Sequence, residues 1–143
     1  MAITHQTPLV IHLGGEITLV NDIPAAATLT PGHLLMRAAG EYDLHTSAAA
    51  GPLTLALNVP ELNKDIDDNY AAGDLVFAGV FPAGSTGLGW LASGQNVVDG
   101  ALLESAGSGK FTALASGVAL ARAIENKDAR FPTGDTRIRV EAV

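Results

Sequence analysis

Asp99-Gly100-Ala101-Leu102-Leu103-Glu104-Ser105-Ala106-Gly107-Ser108-Gly109-Lys110-Phe111 decides how the chain is read. A glycine-containing turn launches an apolar run, and Gly107-Ser108-Gly109 reverses the chain into Lys110 and Phe111. Turn residues at both ends of a short apolar run predict a β-hairpin. Pro31-Gly32-His33-Leu34-Leu35-Met36-Arg37-Ala38-Ala39-Gly40-Glu41-Tyr42 has the same form, with one residue fewer in the reversal. A fainter third copy starts at Ala72-Gly73-Asp74-Leu75-Val76. The irregular spacing excludes a solenoid. Two or three similar hairpins are the material of a small barrel or sandwich.

Outward from these copies, short apolar runs alternate with Gly, Pro, Asn and Asp. Strands are expected at Leu53 to Leu57 and at Asp74 to Phe81, with a polar loop from Asn58 to Asn69 between them. Leu9 to Leu13, Gly14-Gly15 and Glu16 to Val20 read as a hairpin, because paired glycines adopt the positive φ of a two-residue turn. The same residues also read as an extended N-terminal arm jointed at the glycines. Gly87 to Ser93, around Trp90, is expected as a short helix stopped by Gly94. Gly117 to Ile124 is apolar apart from Arg122 and suits a helix or a buried strand equally. Thr136 to Val143 alternates strictly, Ile138, Val140 and Ala142 against Arg137, Arg139 and Glu141, which predicts a half-buried strand.

The fold class expected is therefore all-β: a small β-barrel or β-sandwich of short antiparallel strands, with at most one or two short helices and an extended N-terminal arm. At 143 residues the chain is a single domain, residues 1–15 forming the arm. A domain of this size buries about 68–70% of its unfolded surface and needs no staples; there is no cysteine to make one. No apolar run reaches the roughly 18–20 residues of a membrane span, and Met1-Ala2-Ile3-Thr4-His5 lacks the form of a secretory signal. The expectation is no membrane partner.

Net charge is −7, which argues against a nucleic-acid partner. Five of the eight basic residues, Arg122, Lys127, Arg130, Arg137 and Arg139, crowd toward the C-terminus, so the acidic excess lies upstream. Only 16% of residues are charged, well below the usual quarter, which suggests a surface largely covered by neighbours.

The residues that carry chemistry elsewhere do not assemble into a motif. Asp65-Ile66-Asp67-Asp68-Asn69 resembles the first half of a calcium loop, but Tyr70 and Val76 stand where glycine and a bidentate glutamate are required. A solvated acidic loop is expected. His5, His12, His33 and His45 show no i, i+4 pair and are expected as isolated surface or strand residues. Gly107-Ser108-Gly109 is too short for a nucleophile elbow, and nothing near His45-Thr46-Ser47 builds an oxyanion site. Gly84-Ser85-Thr86-Gly87-Leu88-Gly89 lacks the Gly-Lys-Ser/Thr of a phosphate loop and reads as glycines in a flexible loop. Trp90 anchors either the core or an interface. No catalytic residue, cofactor or metal is expected, and the chain is not read as an enzyme.

The second half resembles the tailed-bacteriophage capsid decoration (cement, head-stabilising) proteins. The resemblance runs over residues 60 to 143: Asp65 to Asp74, Ala92-Ser93-Gly94-Gln95, Asp99 to Gly109, Val118 to Asn126, and Thr136 to Glu141, in that order and at that spacing. The first sixty residues match loosely, through Pro31 to Leu35. The resemblance implies a small β-rich protein, made in the host cytoplasm and added to the outer surface of an icosahedral head. It implies binding of the major capsid protein at junctions between capsomers, resistance to the pressure of packed DNA, and self-association as a homotrimer more readily than a homodimer. Pro8, Leu9, Val10 and Ile11 are then the candidates for pairing with a neighbouring sheet edge, and Trp90, Arg137 and Arg139 for further capsid or subunit contacts. A small carbohydrate-binding β-barrel is the alternative, weakened by only four Phe, two Tyr and one Trp. A connector or tail-tube subunit is the other.

Overall fold

The computed structural model describes residues 10–46, 52–59, 65–130 and 134–143, and among these there is no helix. Thirteen strands follow in chain order: β1 (His12–Gly14), β2 (Thr18–Pro24), β3 (Leu35–Ala38), β4 (Glu41–Leu44), β5 (Leu53–Ala56), β6 (Leu75–Phe81) and β7 (Thr86–Leu91). Then come β8 (Asn96–Val97), β9 (Leu102–Gly107), β10 (Lys110–Ala113), β11 (Ala121–Ala123), β12 (Lys127–Asp128) and β13 (Thr136–Ala142). The all-β expectation holds.

Five strands close into a barrel, in the order β7, β10, β9, β11, β13 and back to β7. The seam between β13 and β7 is its longest ladder, antiparallel from Thr136 opposite Leu91 to Glu141 opposite Thr86. Strand β13 forms as its alternation predicts: Ile138 and Val140 are fully buried, with Ala142 nearly so. Opposite them on the same inner face lie Gly89 and Gly87.

That placement corrects the helix expected over Gly87 to Ser93 and the flexible loop expected at Gly84 to Gly89. A five-stranded barrel is narrow, and two aromatic rings use the room these glycines leave. A Cβ on Gly89 would lie 2.5 Å from Phe111 Cε2, and one on Gly87 2.8 Å from Phe81 Cε2. Glycine here admits a ring from elsewhere in the chain, a use of strand glycine invisible to local helix propensity. Phe111 and Leu103 are fully buried beside them, and each such side chain contributes about 1.5–3 kcal/mol of apolar burial.

A second layer is built from the antiparallel sheet β2-β6-β5 and the hairpin β3-β4. Strand β5 is buried along its whole length, because the two layers meet there. Leu53 and Leu55 join the barrel core, whereas Ala56 joins a second core with Leu29, Tyr42, Tyr70 and Val76. The Tyr70 hydroxyl donates to the Leu57 carbonyl at 2.5 Å, so its burial leaves no orphaned donor.

Both sequence-similar hairpins form. In β3-β4 the reversal is Ala39-Gly40, both at positive φ, as a two-residue turn between strands requires. In β9-β10, Lys110 pairs with Gly107 and Phe111 with Ser105, so Ala106 is the extra residue of a bulge. The two hairpins touch: Leu34 N–H donates to Gly109 O at 2.8 Å, and Gly109 N–H donates to His45 O at 3.2 Å. The fainter third copy launches β6, but its reversal leads into β7, which belongs to the barrel.

The hairpin expected at Gly14-Gly15 does not form. β1 pairs with β7 and β2 with β6, so the glycines carry the chain from the barrel to the second sheet. Gly15 has φ +79°, and a Cβ there would stand 2.9 Å from Ser85 Cα. Nor do the described residues form the extended arm of the alternative reading, since β1 pairs with β7 and Ile11 is fully buried. The open choice over Gly117 to Ile124 resolves to β11, preceded by a connection in which Val118 is exposed.

Candidate interaction surface

The outer face of the β7–β13 seam carries three of the residues singled out from sequence. Register places Trp90 opposite Arg137 and Leu88 opposite Arg139. The Arg137 guanidinium carbon stands 4.4 Å from the centroid of the Trp90 ring, within the range of a cation–π contact. Its Nη1 donates to Asp67 Oδ1 at 3.0 Å, and its Nη2 to the carbonyls of Pro31 and Ile66. Trp90 Nε1 donates to the same Pro31 carbonyl at 3.0 Å.

Arg137 is thereby a tether. It binds the 30–33 turn and the acidic loop at 65–68 to the barrel wall, and only 12% of its side chain is exposed. Three internal partners and a stacked ring hold the guanidinium in place. Trp90, half-buried, has an internal role as the joint between the two layers. Arg139 stays at the surface, 3.5 Å from Glu125.

The N-terminal candidates divide. Ile11 is fully buried in the barrel core, its N–H donating to Asn58 Oδ1 at 3.0 Å and its carbonyl accepting from Leu88 N–H. Its side chain fills the interior. Val10 is 41% exposed. Pro8 and Leu9 lie outside the described residues.

Besides its contacts with Arg137, the acidic loop bonds to itself. Asp65 N–H donates to Asp68 Oδ2, and Asp67 N–H to Asp65 Oδ1, each at 2.8 Å. No group of three or more potential metal ligands occurs among the described residues. Of the histidines expected as isolated surface or strand residues, His12 lies in β1 and His5 outside the described residues. His33 accepts the Thr30 N–H at Nδ1, 3.0 Å away, and burial, with Lys110 nearby, lowers its pKa to about 4. His45 is buried, with Nδ1 3.0 Å from Ser105 Oγ; burial lowers its pKa too. Both side chains of that serine–histidine contact are buried.

One surface escaped the sequence reading. β10 and β11 flank β9, so the connection between them, residues 114–120, has to cross β9. Glu104 on the outer face of β9 accepts the Gly117 N–H and holds the crossing there. Residues 113–118 are all exposed and uncharged, and Leu114 N–H donates to Leu102 O beside them. Leu102, Leu114, Val118 and Val98 leave 36%, 37%, 59% and 62% of their surface open. The uncharged run from Phe111 to Ala121 was the available signal, but apolar residues read as core unless the topology forces them outside.

Charge is segregated between the layers. Lys110, Lys127, Arg130 and Arg139 form ion pairs on the barrel side, and Arg137 pairs across to Asp67 of the acidic loop. The described residues of the second layer and its acidic loop carry Glu16, Asp22, Glu41, Asp43, Asp65, Asp67, Asp68 and Asp74 against Arg37.

No protein-family model matches the sequence, and no curated protein matches it. Among solved structures, the fold is similar to the N base of head fiber gp8.5 of bacteriophage phi29, with a TM-score of 0.53 and 12% sequence identity. The match covers 90% of this chain and 95% of that one. At this identity the likeness establishes a shared fold.

Proposed function

We propose that the chain is a structural protein of a tailed-phage head, attached to the outer surface of the capsid as a decoration or cement protein and without catalytic activity. The observation that carries this reading is the fold shared, over nearly the whole of both chains, with the N base of a phage head fiber. The ordered segments from Asp65 to Glu141 that resemble decoration proteins support it from an independent direction.

The mechanism is linkage. A protein that touches two capsid subunits binds the assembled lattice better than free subunits, and so stabilises the lattice by the difference. Many modest contacts repeated over a shell add up without any one being tight. The partners are the major capsid protein and further copies of this chain, as a homotrimer. The segment through Pro8, Leu9 and Val10 is proposed to pair with a neighbouring sheet edge. Truncation has to stop at residue 9 to test this, because removing Ile11 opens the core.

The test is co-sedimentation of the purified protein with undecorated heads, expanded and unexpanded. Saturable binding to expanded heads is expected. Absence of saturable binding to either form would overturn the proposal.

A further inference from the structure

We propose that the contact between the β9-β10 turn and the β3-β4 hairpin is an acid-operated latch: protonation of His33 releases residues 107–109 from Leu34 and His45, while the barrel and the β2-β6-β5 sheet stay folded. The latch is a property of the chain alone and does not depend on head attachment.

Three backbone bonds close the contact. Leu34 N–H donates to Gly109 O at 2.8 Å, Gly109 N–H to His45 O at 3.2 Å, and His45 N–H to Leu34 O at 2.9 Å. The seat is close, since a Cβ on Gly109 would stand 3.1 Å from Leu34 O. The turn held there runs against local preference. Gly107, Ser108 and Gly109 are all at positive φ, and Ser108, at +54°, carries a Cβ that the left-handed region disfavours. Behind the turn, Ser105 Oγ accepts the Gly107 N–H at 3.2 Å and lies 3.0 Å from His45 Nδ1.

His33 stands next to Leu34, and its Nδ1 accepts the Thr30 N–H. Imidazolium carries a hydrogen on both nitrogens, so the added proton lands on the atom that has to accept. The charged ring also faces Lys110, the residue after the turn, and Arg137 on β13. Asp135 opposes both, but it is already paired with Lys110 at 2.6 Å. Charge on His33 therefore pushes against the strand that Gly109 begins. His45, 3% exposed, reaches water only once the turn moves; burial disfavours its charged form, against a hydrogen bond with the Thr46 backbone. Its protonation then holds the latch open. His33 has a pKa of about 4 in the closed latch and 6.5 when freed. The latch is therefore shut above about pH 6.5, and opening is favoured as the pH falls from there toward 4.

The test is amide hydrogen exchange of the full chain by NMR, expressed as protection factors so that the intrinsic pH dependence of exchange cancels. Leu34 and Gly109 report the latch. Leu88, bonded to Ile11 O in the barrel, and Tyr70, bonded to Leu29 O in the second layer, report the two layers. Protection of Leu34 and Gly109 is expected to fall about tenfold between about pH 7 and about pH 5. At the lower pH it is expected to lie about tenfold or more below that of Leu88 and Tyr70, and to be insensitive to low urea, as a local opening that exposes little surface requires. His33→Asn, whose amide oxygen takes the place of Nδ1, is expected to reduce the fall to about threefold or less, the remainder coming from His45. Three results would each overturn the latch: no fall in wild type, all four amides sharing one protection and one urea dependence, or a folded His33→Asn with the wild-type fall. The first two need no variant.

Discussion

Arg137 and Trp90 are cross-strand neighbours on the barrel seam, the guanidinium 4.4 Å from the indole centroid, and both donate to the Pro31 carbonyl. One backbone oxygen of the second layer is thus held by two side chains of the barrel. Arg137→Ala is expected to cost about 2–3 kcal/mol, because it removes charge-assisted hydrogen bonds and leaves the Ile66 carbonyl without its donor. Arg137→Lys keeps the charge but loses the planar fork and the stack, and is expected to recover less than half. Asp67→Ala, on a side chain 78% exposed, is expected to cost under about 1 kcal/mol. Urea unfolding checks all three, and an Arg137→Ala loss near zero would contradict the tether.

Gly89 and Phe111 share one space inside the barrel. Gly89→Ala places a methyl 2.5 Å from the Phe111 ring, and overpacking of this kind is expected to cost about 1–3 kcal/mol. Adding Phe111→Leu is expected to relieve the clash, so that the double variant is more stable than the sum of the two single losses predicts. Thermal denaturation checks this. Strictly additive losses would contradict the packing described.

Acid is expected to weaken the fold through His33 before the carboxylates titrate. Its folded pKa, about 4, lies below the unfolded value of 6.5 because burial and Lys110 disfavour the imidazolium. The unfolded chain then binds the extra proton between these values, so stability is full above about pH 6.5 and falls toward pH 4. A shift of this size corresponds to roughly 3 kcal/mol unscreened, and partial solvent exposure reduces it to about 1–2 kcal/mol. His45, lowered by burial, acts in the same direction. His33→Gln is expected to flatten the pH dependence between 6.5 and 4 in urea titrations, and an unchanged slope would contradict it.

The parts of the fold legible in the sequence are those whose determinants are local. The β13 alternation and the two hairpin reversals depend on residues within a few positions of one another, and all three form as read. Strand β7 was illegible because what makes Gly89 a strand residue is Phe111, distant in sequence and brought in by barrel closure. Gly14-Gly15 misled for a related reason: paired glycines suit a two-residue turn, but here only Gly15 takes a positive φ, at a step between sheets that strand pairing alone reveals. At the candidate surface, Trp90, Arg137 and Arg139 were singled out as residue types, but the turn and loop that cover Arg137 on the outer face were not readable. The exposed run at 113–118 was hidden by its own apolarity, since only the strand order β10-β9-β11 brings it outside.

The most direct measurement of the central claim is the temperature at which DNA-filled heads release their DNA, with and without saturating protein. A molecule that fastens capsid subunits together raises that temperature in proportion to occupancy. Release at the same temperature with the protein bound would contradict a stabilising role.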